Sequence, residues 1–309
     1  MTWLQLLMYL AYAVFFLGTG YKAWKMATMP LHLRWDLYPI PHEKGKEHYG
    51  GSYFEEVEWW TKPTSVSMTN EFKEMAREIL YIQSMYRNHR SLWYFSFPFH
   101  FGLYVSIAFV GLVFLGAVLV SFGVGVGAES GLVGQIIHYV TLPLGVIGSV
   151  LAALGSLGLL LSRVFRSDLR RCSTPSDYLN LILLLGVFVS GLYVWSGQDI
   201  GYNQLRVFVG SLLTFTPATS HSTAFSVHMI FAAAFLLYLP FTHMTHFVGK
   251  YFTYHKVRWE DHPNIKGSKL EKKVAEALGY KITWAAPHIK QNATWAEAAT
   301  DNGKEGDHA

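Results

Sequence analysis

The chain has 309 residues, 51% of them apolar and 15% charged, with a mean hydropathy of +0.22 and a formal net charge of +4. The apolar residues are gathered into blocks rather than spread at a steady period. That excludes an ordinary soluble domain, and the small positive charge calls for no nucleic-acid partner. A lone cysteine, Cys172, excludes an internal disulfide and any cysteine-ligated iron–sulfur cluster within this chain.

In chain order, Leu4 to Tyr21 is the first block without Asp, Glu, Lys or Arg. No positive residue precedes it and Lys22 and Lys25 follow, the reverse of a secretory signal, so it is expected to be a retained first helix. Next comes "YPIPHEKGKEHYGGSYFEEVEWWTKP" at 38–63, rich in Pro, Gly and aromatics without a clear period, which predicts an ordered extended loop. In "NEFKEMAREILYIQSMY", Phe72, Met75, Ile79 and Ile82 recur at helical spacing, predicting an amphipathic helix on the membrane or on a partner. Four further charge-free blocks follow at Phe95–Phe122, His138–Leu161, Tyr178–Trp195 and Ala224–Val248. Each is long enough to cross about 30 Å of hydrocarbon at about 1.5 Å per residue.

The expected fold is all-α: a polytopic membrane bundle of five transmembrane helices. It divides into a first helix at 1–26, a cytoplasmic loop at 27–94, a four-helix membrane core at 95–250 and a C-terminal tail at 251–309. Charge sets its orientation. Segments 22–97, 163–177 and 249–309 hold 24 of the 25 Lys and Arg, and the opposite connections hold only Arg206. The positive-inside rule therefore places the N-terminus outside and the C-terminus in the cytoplasm of a cell (inner) membrane. In the tail, "SKLEKKVAEALG" carries a capping-box signature, Ser268 with Glu271, and a terminating Gly279. Trp284 and Trp295 lie in an otherwise polar stretch, which predicts docking on a partner subunit, the alternative being the lipid interface. From about Asp301 the polar tail is expected to be mobile.

Among 14 histidines, His100, His138, His228, His243 and His246 lie in or beside spans, where ionisable side chains are rare and usually functional. His228 and His246 are 18 residues apart, which on a continuous helix puts them on one face about 27 Å apart. That spacing suits a helix giving one axial ligand to each of two b haems stacked across the membrane, since a neutral imidazole is a strong haem-iron ligand. Depth then pairs His100 with His246 near the cytoplasmic side and His138 with His228 near the outer side. His243, three residues before His246, reads as an interfacial polar residue. His221, in "TSHSTAFSVH", lies beside the outer pair, where it is either a proton acceptor from a quinol or a solvated loop residue.

"SVHMIFAAAFLLYLPFTHMTH" at 226–246 is similar to the last helix of the gamma subunit of respiratory nitrate reductase. That helix has a His, an 18-residue interval and a Pro-Phe-Thr/Ser-x-x-x-His ending, met here by Pro240, Phe241, Thr242 and His246. "FHFGL" at 99–103 resembles the family's second-helix motif, and "SRVFRSDLRRCSTPSD" at 162–177 its basic loop. The resemblance covers residues 95–250. The loop at 27–94 and the tail look more like the cytochromes b that partner heterodisulfide-reductase-like iron–sulfur subunits, as in sulfite-reductase-associated membrane complexes. In the nitrate reductase subunit a second ligand follows the first by ten residues on helix two, and that position is Val110 here, which cannot ligate iron. Either the outer haem is lost or His138 replaces the ligand, and the competing role for His138 is quinone binding.

The resemblance implies a cytochrome b subunit of a respiratory oxidoreductase complex, not catalytic alone. It would pass electrons through two b haems, or one, between menaquinone or another quinone and a cytoplasmic iron–sulfur partner of heterodisulfide-reductase-like or ferredoxin-like type. Two rival classes, a haem-free structural anchor and a small transporter, predict no spaced histidines and mid-membrane carboxylates, respectively.

Overall fold

With no water in hydrocarbon to satisfy the backbone, apolar blocks of this length must close their hydrogen bonds internally, and they do so as five long helices. These are α1 (Trp3–Thr28), α4 (Arg90–Ser121), α5 (Leu132–Phe165), α7 (Pro175–Gly197) and α9 (Thr223–Tyr238), the last extended by a 3-10 turn to Phe241. Shorter helices intervene: α2 (Met68–Tyr81), α3 (Gln83–Asn88), α6 (Ser167–Arg171), α8 (Asn203–Leu213), α10 (His246–Thr253), α11 (Lys269–Leu278) and α12 (Trp295–Thr300). The computed structural model describes residues 1–29, 43, 45–46, 49, 52–63, 66–218, 221–260, 264–284, 286 and 289–300. Among them the chain is 77% helical, with no strand and only isolated bridges. The expected mobile tail from Asp301 and much of the 38–63 loop lie outside the described residues.

The chain divides into two units, one of Met1–Gly20 with Phe72–Thr245 and one of Tyr21–Glu71 with His246–Ala309. In the first, α4 packs along α5, α5 along α7 and α7 along α9, while α8 packs on α4. Small residues set the α4–α5 spacing. A Cβ on Gly102 would lie 2.4 Å from the Ala152 nitrogen, and one on Gly155 would lie 2.5 Å from the Phe99 nitrogen. Close backbone approach of this kind is how helices associate where lipid gives no hydrophobic drive. The N-terminal half of α1 joins a core of Leu4, Met8, Ala11, Phe208, Phe225 and Met229. There the fully buried Gln5 donates to Ser211 Oγ (3.0 Å) and the Thr216 carbonyl (2.8 Å), so the polar group is satisfied.

One expectation is corrected. The fifth apolar block is not one helix carrying both His228 and His246. It ends as α9 at Tyr238, passes through 3-10 turns at Leu239–Phe241 and His243–Thr245, and restarts as α10 at His246. Pro240 supplies no amide proton, and Thr242 is extended (φ −112°, ψ 172°) with its hydroxyl donating to the Leu239 carbonyl (3.0 Å) and accepting from the Met244 amide (3.1 Å). The single-face, five-turn register between the two histidines therefore does not exist.

The predicted amphipathic helix is α2, whose Phe72 side chain is exposed, but it stops at Tyr81 because Ile82 takes a left-handed conformation (φ 50°). In the second unit, Tyr53 and Phe54 pack edge-on to Trp59. Ser268 caps α11 by accepting from the Glu271 amide (3.1 Å), while Glu271 accepts from the Gly267 amide instead of closing a capping box. Gly279 ends the helix without a positive φ. Trp284 and Trp295 are 48% and 44% exposed.

Candidate functional site

His228 lies in the second turn of α9 and points at α7, where Gly191 makes room for it: a Cβ there would come within 3.0 Å of the imidazole Cε1. Its Nδ1 is 3.0 Å from Ser190 Oγ, and the Ser190 hydroxyl donates to the Val187 carbonyl (3.1 Å). With the hydroxyl proton on the Val187 carbonyl, Nδ1–H is assigned as the donor to Oγ and the lone pair to Nε2. His100 reaches the same state by a shorter route, with Nδ1 2.8 Å from the Ser96 carbonyl one turn earlier on α4. A carbonyl can only accept, so again Nδ1 carries the proton and Nε2 the lone pair. Neutral imidazoles held in this tautomer by an Nδ1 partner are what an axial metal ligand requires. Both residues fit a haem.

His138 differs. It is buried in the second turn of α5, and its Nδ1 has no hydrogen-bond partner among the described residues. Its ring lies against Gly201, where a Cβ would be 3.5 Å from Cε1. Around it, the short helix α8 builds a polar layer. Asp199, 6% exposed, accepts from the Gln204 and Leu205 amides (3.0 and 2.9 Å) and so caps α8. Tyr202 packs against Gly145 of α5, its hydroxyl raised well above the usual range by burial and by Asp199. Arg206, 3% exposed, donates from Nη1 to Asn203 Oδ1 (2.8 Å) and lies against Gly116 of α4. His221 accepts at Nδ1 from Gln204 Nε2 (3.3 Å) and stacks on Phe225, its Nε2, which then carries the ring proton, buried without a partner among the described residues. Burial lowers its pKa, so it is neutral at pH 7.

The remaining predicted positions fall elsewhere. His243 Nε2 is 3.4 Å from Asp177 Oδ1 and 3.3 Å from Asn180 Nδ2, at the opposite end of α7. His246 opens α10 with an exposed side chain and belongs to the second unit, whereas His100 belongs to the first. Val110 is 58% exposed on the outer face of α4. Among the described residues no three His, Cys, Asp or Glu side chains converge on a bare metal ion. Ser190, Gly191 and Arg206 were not singled out by sequence. Only Arg206 left a signal, as the one basic residue in the two connections opposite the basic segments.

Comparison with known proteins places residues 81–260 in a match to the nitrate reductase gamma subunit family. The chain is also 26% identical over 261 residues to a protein of Archaeoglobus profundus named as an Hdr-like menaquinol oxidoreductase cytochrome b-like subunit, covering 79% of this chain and 75% of that one. A protein of the same name from Archaeoglobus fulgidus is 26% identical over 271 residues, covering 79% and 76%. No solved structure matches the chain.

Proposed function

The chain belongs to the nitrate reductase gamma subunit family, and on that premise we propose that it is the membrane cytochrome b of a quinone-linked redox complex. His138 and His228 would hold one b haem and His100 and His246 another, the second pairing resting on the sequence motifs. Bound haem would supply reversible one-electron transfer. The observation that supports this reading is the hydrogen-bond chain from His228 through Ser190 to the Val187 carbonyl, which favours a neutral imidazole in the tautomer a ligand needs. The names of the Archaeoglobus relatives support menaquinol as the quinone substrate.

Quinol binds at the α8 end of the bundle, outside the membrane by the charge distribution. His221, a neutral imidazole, accepts one of the two quinol protons at Nδ1, in place of the hydrogen bond it takes from Gln204, and the other is released on the outer side. His138 is the alternative quinone contact. Adding a menaquinol analogue to the oxidised, haem-loaded protein should reduce its haem within the mixing time of a stopped-flow experiment. A haem spectrum indifferent to quinol would remove the quinone from this account.

Electrons then leave on the cytoplasmic side to an iron–sulfur subunit of heterodisulfide-reductase-like type. The exposed Trp284 and Trp295 give the tail the aromatic anchors that protein interfaces favour. Deleting residues 268–309 should release that subunit during purification and leave the haem spectrum of the membrane subunit unchanged. A complex that survives the deletion intact has its docking surface elsewhere.

A further inference from the structure

Arg206 is a buried cation with no ion pair at hydrogen-bond distance among the described residues. Its guanidinium is held in place by one bond, Nη1 to Asn203, while Nε and Nη2 are buried with no hydrogen-bond partner among the described residues. Nε and Nη2 form the side-on edge of a guanidinium, the edge that grips a carboxylate through two parallel N–H···O bonds. The nearby carboxylate does not fill it: Asp199 caps α8 through the Gln204 and Leu205 amides, and neither Nε nor Nη2 of Arg206 bonds to it. A buried charged donor left unbonded is strongly unfavourable, so the edge calls for an acceptor from outside the chain.

Two contacts locate that acceptor. The Cβ that Gly116 lacks would lie 2.8 Å from Arg206 Nε and 3.6 Å from Ile137 Cγ2, and Ile137 precedes His138 in α5. Asn203, which holds Arg206, has its amide 3.1 Å from the corresponding position on Gly201, and Gly201 in turn borders the His138 ring at 3.5 Å. The guanidinium and the imidazole thus share one small-residue shell. We propose that Arg206 is the carboxylate receptor of this shell and binds a propionate of the haem held by His138 and His228. A quinone carbonyl would use one N–H and leave the other orphaned, whereas a carboxylate satisfies both. The positive charge also favours the reduced haem, so Arg206 raises the reduction potential of this haem relative to a site without it.

This inference rests on the cytochrome reading, and the test separates the two. In the purified complex, potentiometric titration resolves the haems while EPR reports their spin state. Arg206→Gln should lower the midpoint of one haem alone by about tenfold in its reduction equilibrium, about 59 mV for one electron, with both haems still low-spin. Arg206→Lys, which keeps the charge but loses the paired edge, should lower it less, and it decides the matter if the glutamine variant does not assemble. Unchanged potentials in a haem-loaded variant overturn the assignment, as does a weakened quinol KM with both potentials unmoved, which would make Arg206 a quinone residue. A wild-type protein without b haem overturns the cytochrome reading and this assignment with it.

Discussion

Replacing His228 with Ala is expected to convert one of two low-spin haem signals to high-spin with the haem content unchanged, or to abolish it with the haem content halved, while the other signal persists. The loss should be near complete, because one imidazole is half of the axial set and Ala offers no donor. Ser190→Ala should have a weaker effect in the same direction, on the order of tenfold or more in haem affinity, since it removes the partner that fixes the tautomer of His228. His138→Ala separates the two roles of that residue. A high-spin or missing haem marks it as the opposite ligand, whereas two intact low-spin signals with no reduction by quinol mark it as a quinone contact. An oxidised EPR spectrum of the His228→Ala protein identical to wild type would remove the site from α9.

Gly102→Leu is expected to be the most damaging packing change. The nearest atoms to a Cβ there are backbone, the Ala152 nitrogen at 2.4 Å, the Gly148 carbonyl oxygen at 2.8 Å and the Ala152 Cα at 2.9 Å. Backbone cannot rotate away, so α4 and α5 must separate and lose the contacts on either side. Overpacking in a core that can repack costs about 1–3 kcal/mol, and here the cost should exceed that range. Thermal unfolding in detergent measures it. Gly111→Leu is the control on the same helix, because nothing lies within 4 Å of its Cβ position. Its Tm should match wild type or rise slightly, given the low helix propensity of glycine. Equal Tm values for the two variants would mean that the α4–α5 seam does not hold the bundle.

Much of the architecture was legible because the bilayer imposes a single rule on a whole block of residues. Charge-free runs located all five spans, although the helices run past them. α1 continues through Lys22 and Lys25 to Thr28, and α4 begins at Arg90, since long basic side chains can reach the interface from a helix end. Helix five was misread as continuous because residue spacing was weighed and Pro240 was not, though a proline within an apolar run is a stop signal. α8 escaped notice because its start depends on Asp199, a cap four residues ahead of Asn203 whose role appears only when its oxygens meet the Gln204 and Leu205 amides. His228 and His100 stood out in the sequence as residue types in unusual places, and their role as ligands is the proposal made above. Their hydrogen-bond partners were not legible, since these are Ser190 across a helix pair and the Ser96 carbonyl. Arg206 stood out only as a charge on the wrong side of the positive-inside rule. Its unfilled guanidinium edge belongs to the packing of three elements.

The central claim is that these histidines hold haem, and pyridine haemochrome analysis of the purified full-length protein, set against its protein concentration, tests it most directly. Two b haems per chain are predicted for the wild-type protein. A value of zero in a folded, membrane-extracted preparation would contradict the account.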